Sequence, residues 1–311
     1  MLRHQAALRN GLMRAAAARG RCLVLCYHRV APAATTHHVI TPIPPDRFAE
    51  QMRALRQIGE IVPLGTVLSF ASKSDRPVFA VTFDDDDPCH VRYALPVLHD
   101  LGIPATFFLS GRSLSGCGPY WWALLEQSVA EIGLEATCRV LGHEASTAKA
   151  LARACRSAGT VAELATRETP PVMDAADIRT LADAGMTIGF HTLRHAALPQ
   201  LDDGALAAAL TEGRSELESA TGRPIELLAY PYGRTDVRVA HAARRAHYRA
   251  GFTTVERAIT PRADRFLLGR WQPGTERADE FLAETALRLI RPVLAGRWDD
   301  VALALPQPSN G

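Results

Sequence analysis

Short apolar runs alternate with longer amphipathic stretches along most of this chain. The apolar runs are CLVLCYH, PVFAVTF, PATFFLS, MTIGF, ELLAYP and AGFTT. Runs of this length, rich in β-branched and aromatic residues, are typical of buried strands. Between them, helical periodicity occupies residues 90–102, 175–185, 204–221 and 236–248. The alternation predicts a mainly parallel sheet with helices outside it, either open or closed into a barrel.

The third helical segment carries clear signals at both ends. LDDG precedes it and TGRP follows it. A carboxylate in LDDG can cap the first turn, and Gly222 suits the left-handed conformation that often ends a helix. The sequence therefore predicts one continuous helix over residues 204–221.

Residues 112–170 interrupt the strand and helix rhythm. This stretch is rich in alanine and begins near the aromatic cluster PYWW. It predicts a helical insertion that packs over one side of the sheet. We expect one domain over residues 21–295, preceded by a basic helical extension (residues 1–20) and followed by a tail (residues 296–311) whose end, LPQPSNG, is typical of disorder.

Charge and cysteine content narrow the class of protein. The chain has 311 residues and a formal net charge of +2, and its arginines are scattered rather than grouped. These features argue against a nucleic-acid partner. The six cysteines lack CxxC spacing, which favours buried or free thiols in a reducing compartment. No feature predicts an oligomeric state.

The N-terminal extension is basic but is not a typical export signal. It has no unbroken apolar core, and no stop-transfer segment follows. Its arginines allow two interpretations, a helix lying on an anionic membrane surface or a solvated docking helix. We expect a cytoplasmic protein, peripheral to a membrane in the first case. The arginines are Arg3, Arg9, Arg14, Arg19 and Arg21.

Four consecutive carboxylates, in VTFDDDDPCH, follow the second apolar run directly. Adjacent like charges raise one another's pKa and repel unless a cation or hydrogen bonds compensate. Asp86 or Asp87 can cap the helix that follows. For Asp84 and Asp85 we favour a metal site, because a second motif supplies matching ligands.

That second motif is GFHTLRHAALPQL, with His191 and His195 four residues apart. On one helical turn the two imidazoles would share a face and reach one ion. Two histidines and one carboxylate serve hydrolases, but also non-haem iron oxygenases. AYPYG favours hydrolysis, because the Tyr232 amide could donate to an oxyanion. The alternative for AYPYG is a simple turn.

The order TFDD, HTxxH, YPYG resembles the polysaccharide deacetylase family, also called carbohydrate esterase family four. CYHRV, RFAEQMRAL, ALPVLHDLGIPATFFLSG, GMTIGFHT and FLLGRW extend the similarity over most of residues 21–290. The resemblance implies a distorted (β/α)7-type barrel. It also implies a metal-dependent hydrolase that removes N-acetyl groups from an amino sugar. Since no export signal is evident, we expect a polysaccharide or glycoconjugate precursor as the substrate.

The family resemblance also implies individual roles. Asp84 falls on the catalytic base, and the Tyr232 amide falls on the oxyanion donor. The metal would be held by Asp85, His191 and His195. Zn²⁺ suits this ligand set and Lewis-acid hydrolysis, and Co²⁺, Ni²⁺ or Fe²⁺ fit it as well.

Three departures from the family pattern stand out. Asp86 replaces the usual glycine after the two carboxylates, and Ala229 replaces the arginine that normally accompanies the base. Arg270 is our candidate replacement for that arginine. No histidine follows His247, so the late Leu-x-x-His that supplies the general acid is missing. LCYH at the front reproduces the pattern, and His28 inherits the acid role. These departures leave a catalytically silent sugar-binding relative as an alternative.

Overall fold

The computed structural model describes residue 11 and residues 13–32, 37–69, 76–158, 164 and 166–290. Its centre is a parallel sheet of seven strands with the order β1-β3-β4-β5-β6-β7, and β2 also pairs with β3. All six predicted strands are present. The strands are β1 (Cys22–Tyr27), β2 (Glu60–Ile61), β3 (Val78–Asp84), β4 (Ala105–Leu109), β5 (Thr187–Phe190), β6 (Leu227–Ala229) and β7 (Ala250–Phe252).

An extended segment, residues 268–271, lies between the first and last strands of the sheet. Leu268 forms a parallel bridge with Phe252 on β7, and Trp271 forms one with Leu25 on β1. The Trp271 amide donates to the Val24 carbonyl at 2.9 Å. Helices surround the curved sheet, so the chain adopts the predicted distorted (β/α) barrel.

Most helices lie where the sequence predicts them. Residues 90–102 begin with a π-helical turn, His90–Ala94, before an α-helix follows. Gly222 ends its helix with φ 65°, and Asp202 caps the Ala205 amide. The α-helices are α1 (Pro45–Ile58), α2 (Leu64–Ser69), α3 (Leu95–Asp100), α4 (Trp121–Ile132), α5 (Leu134–Leu141), α6 (Ala148–Ala158), α7 (Ala175–Asp183), α8 (Asp203–Ala209), α9 (Arg214–Thr221), α10 (Val237–Arg245) and α11 (Ala278–Ile290).

The prediction of one helix over residues 204–221 is wrong. The segment divides into α8 and α9, and Gly213 between them has φ 83°. A Cβ atom at Gly213 would lie 3.2 Å from the Leu193 side chain. The helix breaks because the backbone approaches the loop that contains His191 and His195, and glycine provides both the space and the left-handed conformation.

Helices α4, α5 and α6 form the predicted helical insertion. They have their own apolar cluster, which includes Trp122, Leu125 and Leu151 and also takes in Val39. Most of the predicted extension and the whole predicted tail lie outside the described residues. Among those described, no helix has the length and apolar character that crossing a membrane requires.

Candidate metal and catalytic site

The side chain of Asp84, the last residue of β3, forms a two-pronged ion pair with Arg270. Its two carboxylate oxygens accept from the guanidinium at 2.6 and 2.7 Å. The side chains of Asp84 and Arg270 are 2% and 0% exposed. Arg270 lies on the segment that closes the barrel beside β1, the neighbour of β3. The candidate for the missing arginine therefore contacts the candidate base.

Burial and neighbouring charges shift the pKa of Asp84 in opposite directions. Burial alone raises the pKa of this carboxyl, but Arg270, and then His191, outweigh it and hold the pKa well below its usual range. The Cys26 thiol donates weakly to the same carboxylate at 3.5 Å. Asp84 is therefore an ionised carboxylate at neutral pH.

Asp85, His191 and His195 converge on one point beside this pair. Oδ1 of Asp85 lies 3.7 Å from Nε2 of each histidine, and the two Nε2 atoms are 3.1 Å apart. The three side chains are buried. Among the described residues, Asp85 Oδ1 has no hydrogen-bond partner. Three predicted ligands from distant parts of the sequence thus meet at the carboxyl ends of β3 and β5.

The loop after β5, rather than a helical turn, brings the two histidines together. Residues 191–195 lie outside the described helices, and Thr192 and His195 adopt left-handed conformations with φ 60° and 49°. The expected helical turn is therefore wrong. His191 Nδ1 lies 2.9 Å from the Ala229 carbonyl. A carbonyl can only accept, so Nδ1 donates to it and Nε2 retains its lone pair.

The charges around these three residues suit a cation. Burial, followed by the charges of Asp84, Asp86 and Asp87, raises the pKa of Asp85 well above its usual range. Burial also lowers the pKa values of His191 and His195. The cluster combines an unpartnered carboxylate oxygen with imidazole nitrogens. The residues present therefore fit a divalent ion, which would be stabilised by both kinds of donor.

His28, directly after β1, lines the same cavity as Asp84 and Asp85. Its position agrees with a role in the reaction, but its surroundings disfavour the charged form that a proton donor needs. Burial lowers the pKa of His28 to about 4, and the Asp84 charge offsets this only in part. Its Nδ1 atom has no partner among the described residues. In the metal-free protein this imidazole is neutral at pH 7.

The three histidines and two aspartates open into a cavity of about 810 Å³. Tyr232 lies on its wall with φ 59°, and its ring meets the His195 ring edge-on at 4.6 Å. Trp122, from α4 of the insertion, also lines the wall and packs edge-on against His195 at 4.9 Å. The cavity therefore lies between the barrel and the insertion, and both contribute to its wall.

Comparison with known families decides the class of this site. The family model "Polysaccharide deacetylase" matches residues 71–251. The chain belongs to the polysaccharide deacetylase family. Family membership supports a deacetylase, a hydrolase of acyl groups. A search of curated proteins found no match.

Solved structures show the same fold at low sequence identity. Streptococcus pyogenes deacetylase PplD, in complex with acetate, is 18% identical with a TM-score of 0.61 over 86% of this chain and 98% of its own. IcaB from Ammonifex degensii is 22% identical with a TM-score of 0.58, over 87% and 97%. BC0361, a polysaccharide deacetylase from Bacillus cereus, is 18% identical with a TM-score of 0.58, over 85% and 68%.

Asp86, where the deacetylase family pattern has glycine, organises the neighbouring loops. Its carboxylate accepts from the Ser110 amide at 2.6 Å and the Arg112 amide at 3.0 Å. The Arg112 side chain in turn donates to the Leu193 carbonyl at 2.9 Å. Asp86 thus links the end of β3 to the loop that carries His191 and His195. Sequence reasoning identified the departure but not this role.

Two further residues were missed by sequence reasoning. His90 Nε2 lies 3.1 and 3.0 Å from the carbonyl oxygens of Asp84 and Asp85. These contacts hold the backbone where Asp85 takes a left-handed φ of 74°. Arg29 donates to Asp87 at 2.7 Å and to Glu126 at 2.7 Å. The sequence showed a histidine soon after the carboxylates and an arginine at a strand end. It did not indicate that the histidine contacts nearby backbone carbonyls, and the partners of Arg29 are distant in sequence.

Proposed function

We propose that this chain is a metal-dependent hydrolase that removes N-acetyl groups from an amino sugar. One observation carries the proposal. Asp85 Oδ1 and the Nε2 atoms of His191 and His195 meet beside the Asp84–Arg270 pair, in the wall of one cavity. Family membership supplies the deacetylase class. The geometry supports the proposal with a candidate cation site and an adjacent ionised carboxylate.

Asp85, His191 and His195 would hold the ion. When bound, a divalent cation polarises a carbonyl and lowers the pKa of a water, which is the chemistry that amide hydrolysis needs. Two imidazoles and one carboxylate favour Zn²⁺, and Co²⁺, Ni²⁺ and Fe²⁺ suit the same donors. The contact of His191 Nδ1 with the Ala229 carbonyl fixes the orientation of that ring.

The other residues would manage protons and charge. Asp84 accepts the proton of the attacking water, and Arg270 keeps this carboxylate ionised and oriented. We assign the Tyr232 amide to the oxyanion that develops on the acetamide carbonyl. His28 is the candidate that protonates the departing nitrogen. Because burial favours its neutral form, His28 needs a proton gained during the reaction.

The cavity suggests a saccharide substrate. Its wall combines aromatic residues with carboxylates and with residues 272–276, a mixture suited to sugar rings and hydroxyls. PplD was crystallised with acetate, the product that deacetylation releases. We propose an amino-sugar precursor met in the cytoplasm, with peripheral membrane contact through the N-terminal arginines.

Metal content and acetate release test the proposal together. The purified protein should contain one divalent ion per chain and release acetate from a panel of N-acetylated sugars. EDTA should abolish release, and Zn²⁺ should restore it. His191→Ala and His195→Ala should each lose the ion and at least a thousandfold of the activity. His99→Ala, at an exposed position, is the matched control and should change neither measurement.

Each arm can contradict a separate part of the proposal. Full metal occupancy in both histidine variants would remove them from the ligand set. Undiminished release after chelation would exclude metal dependence. A metal-loaded protein that binds sugars and releases no acetate would be the catalytically silent relative. Family membership already favours deacylation over the iron-oxygenase alternative.

A further inference from the structure

One carboxylate of the helical insertion, that of Glu126 on α4, is tied by polar contacts to the segments around the catalytic centre. One of its oxygens accepts from the backbone amides of Val39 at 2.6 Å and Ile40 at 3.2 Å. The other oxygen accepts from Arg29 at 2.7 Å. The Glu126 side chain is only 12% exposed. We call Glu126, Arg29 and the amides of residues 39 and 40 the Glu126 clamp.

The second side of the clamp is the catalytic end of the barrel. Arg29 directly follows His28, and its Nε donates to Asp87, two residues after Asp85. Its guanidinium also donates to His38 Nδ1 at 3.2 Å. This one partly buried arginine therefore ties three parts of the chain together: the end of β1, the turn after β3 and the insertion.

The third part held by the clamp is a wall of the cavity. Val39, Ile40 and Thr41 line the cavity that contains the metal candidates. Val39 also packs into the apolar cluster of the insertion, so its position follows that of α4. On the far side, Ile43 is fixed independently, because its amide donates to the Arg29 carbonyl at 3.0 Å.

We propose that Glu126 is a specificity-determining positioning residue. It fixes residues 39–41 as the wall that contacts the saccharide, and the insertion thereby sets which acylated amino sugar is accepted. Charge-assisted bonds to two amides and one guanidinium hold a backbone segment more firmly than neutral ones. Apolar side chains on this wall suit the apolar face of a sugar ring. The inference rests on the proposed function for its substrate class.

Glu126→Gln is the test variant, because it keeps the size of the side chain and removes its charge. The probe is the N-acetylglucosamine trimer. KM should rise about tenfold while kcat stays within threefold, because the variant weakens binding of the ground state and of the transition state by the same amount. Metal content should not change. Glu126→Asp, which keeps the charge but shortens the reach, should show the same KM effect.

Two matched variants sharpen the test. Glu135→Gln on α5, whose ion pair with Arg139 is exposed, should leave KM and kcat at their wild-type values. Asp87→Asn releases the opposite side of Arg29 and should lower kcat more than it raises KM. A loss of kcat or of metal in Glu126→Gln would overturn the proposal, and so would an unchanged KM.

Hydrogen–deuterium exchange tests the positioning without any substrate. Peptides that cover residues 37–41 should exchange at least tenfold faster in Glu126→Gln than in wild type, while the Ile43 amide keeps its protection. Unchanged exchange at residues 39 and 40 would contradict the clamp. If the wild-type protein releases no acetate from the trimer, the proposed substrate class fails, and the exchange result still decides whether Glu126 holds the wall.

Discussion

Two arginine–aspartate pairs stand at opposite ends of the four-carboxylate run, and they differ in almost every respect. Asp84 and Arg270 are 2% and 0% exposed and make two short contacts. Asp87 and Arg29 are 23% and 13% exposed and share one contact, because Arg29 also serves Glu126. The inner pair lies inside the barrel. The outer pair lies between the barrel and the insertion.

The difference shows that the same kind of ion pair, arginine with aspartate, has two different roles in this protein. In both aspartates burial raises the pKa, and the arginine, together with neighbouring histidines and hydrogen bonds, more than reverses this effect. The inner arginine meets no other carboxylate at salt-bridge distance among the described residues, so its full charge acts on the candidate base. The outer arginine divides its donors among Asp87, His38 and Glu126 and holds their segments together. We therefore expect the inner pair to act directly on the candidate base and the outer pair to act through the position of the segments that it holds.

Removing the inner arginine should have the largest effect. Arg270→Leu leaves Asp84 buried without a counter-charge, which typically costs about 3–5 kcal/mol. Turnover should fall at least a hundredfold, because the base loses its orientation and the cation that keeps it ionised. Urea denaturation and acetate release measure the two effects. A stability loss no larger than that of the outer arginine variant would remove the distinction between the pairs.

The inner pair also has a defined pH dependence. The folded pKa of Asp84 lies below its unfolded value, so the stabilisation is fully present above a pH of about 4 and is lost as the pH falls towards the folded pKa. The stability gap between wild type and Arg270→Leu should be largest near pH 8 and should narrow as the pH falls, because burial raises the pKa of the unpaired Asp84 in the variant. A gap that widens on acidification would contradict this assignment.

The first two carboxylates of the run, Asp84 and Asp85, should have different functions. Asp84→Asn should retain the metal and lose about a hundredfold to ten-thousandfold in turnover, the usual cost of removing a general base. Asp85→Asn should lose the metal as well, because it removes a ligand. Elemental analysis with acetate assays distinguishes them, and the reversed pattern would exchange the two roles.

His28 directly precedes Arg29 of the outer pair. A variant of His28 tests whether this part of the chain also takes part in the reaction. His28→Ala should bind metal normally and slow hydrolysis of N-acetyl substrates about a hundredfold, with a much smaller loss on an acetyl ester. The oxygen of an ester can leave as an alkoxide with little help from a proton donor, whereas the nitrogen of an amide must be protonated before it leaves. Equal losses on both substrates, or near wild-type amide turnover, would exclude His28 as the proton donor.

Removing the outer arginine should have the smallest effect on stability. In Arg29→Leu the carboxylates of Asp87 and Glu126 remain partly accessible to water, so we expect a loss of about 1–2 kcal/mol. Metal content should remain at the wild-type level. Urea denaturation beside Arg270→Leu gives the comparison directly. A loss of stability in Arg29→Leu equal to that in Arg270→Leu would show that the outer pair contributes as much to the stability of the fold as the inner pair.

The sequence predicted six of the seven described strands, the barrel class and the helical insertion, because apolar periodicity indicates which segments are buried. It did not predict the two-residue strand β2. It also identified Arg270 as the partner of Asp84, although no local pattern supports this contact. The break at Gly213 was missed because its cause, Leu193, is distant in sequence. The left-handed turns at Thr192 and His195 were missed for a related reason, since tertiary contacts override a spacing that also suits a helix.

Polar contacts over long sequence separations were the least predictable part of the site. The carboxylates Asp86 and Asp87 were expected to form a turn or cap, and Asp87 does accept from the Cys89 amide at 2.9 Å. Their links to Arg112 and Arg29 depend on how loops fold over the sheet. The sign of the His28 pKa shift depends on burial at the end of β1, which a strand pattern alone does not quantify.

The closure of the barrel by residues 268–271 has a consequence for the order of folding. Arg270 follows Asp84 by 186 positions, whereas Asp85, His191 and His195 all precede residue 200. During synthesis the three candidate ligands leave the ribosome well before the arginine does. We expect a nascent chain to be able to assemble its cation site first and to become competent for turnover only when the last segment docks against β1. Chains released early would then be inactive even when loaded with metal.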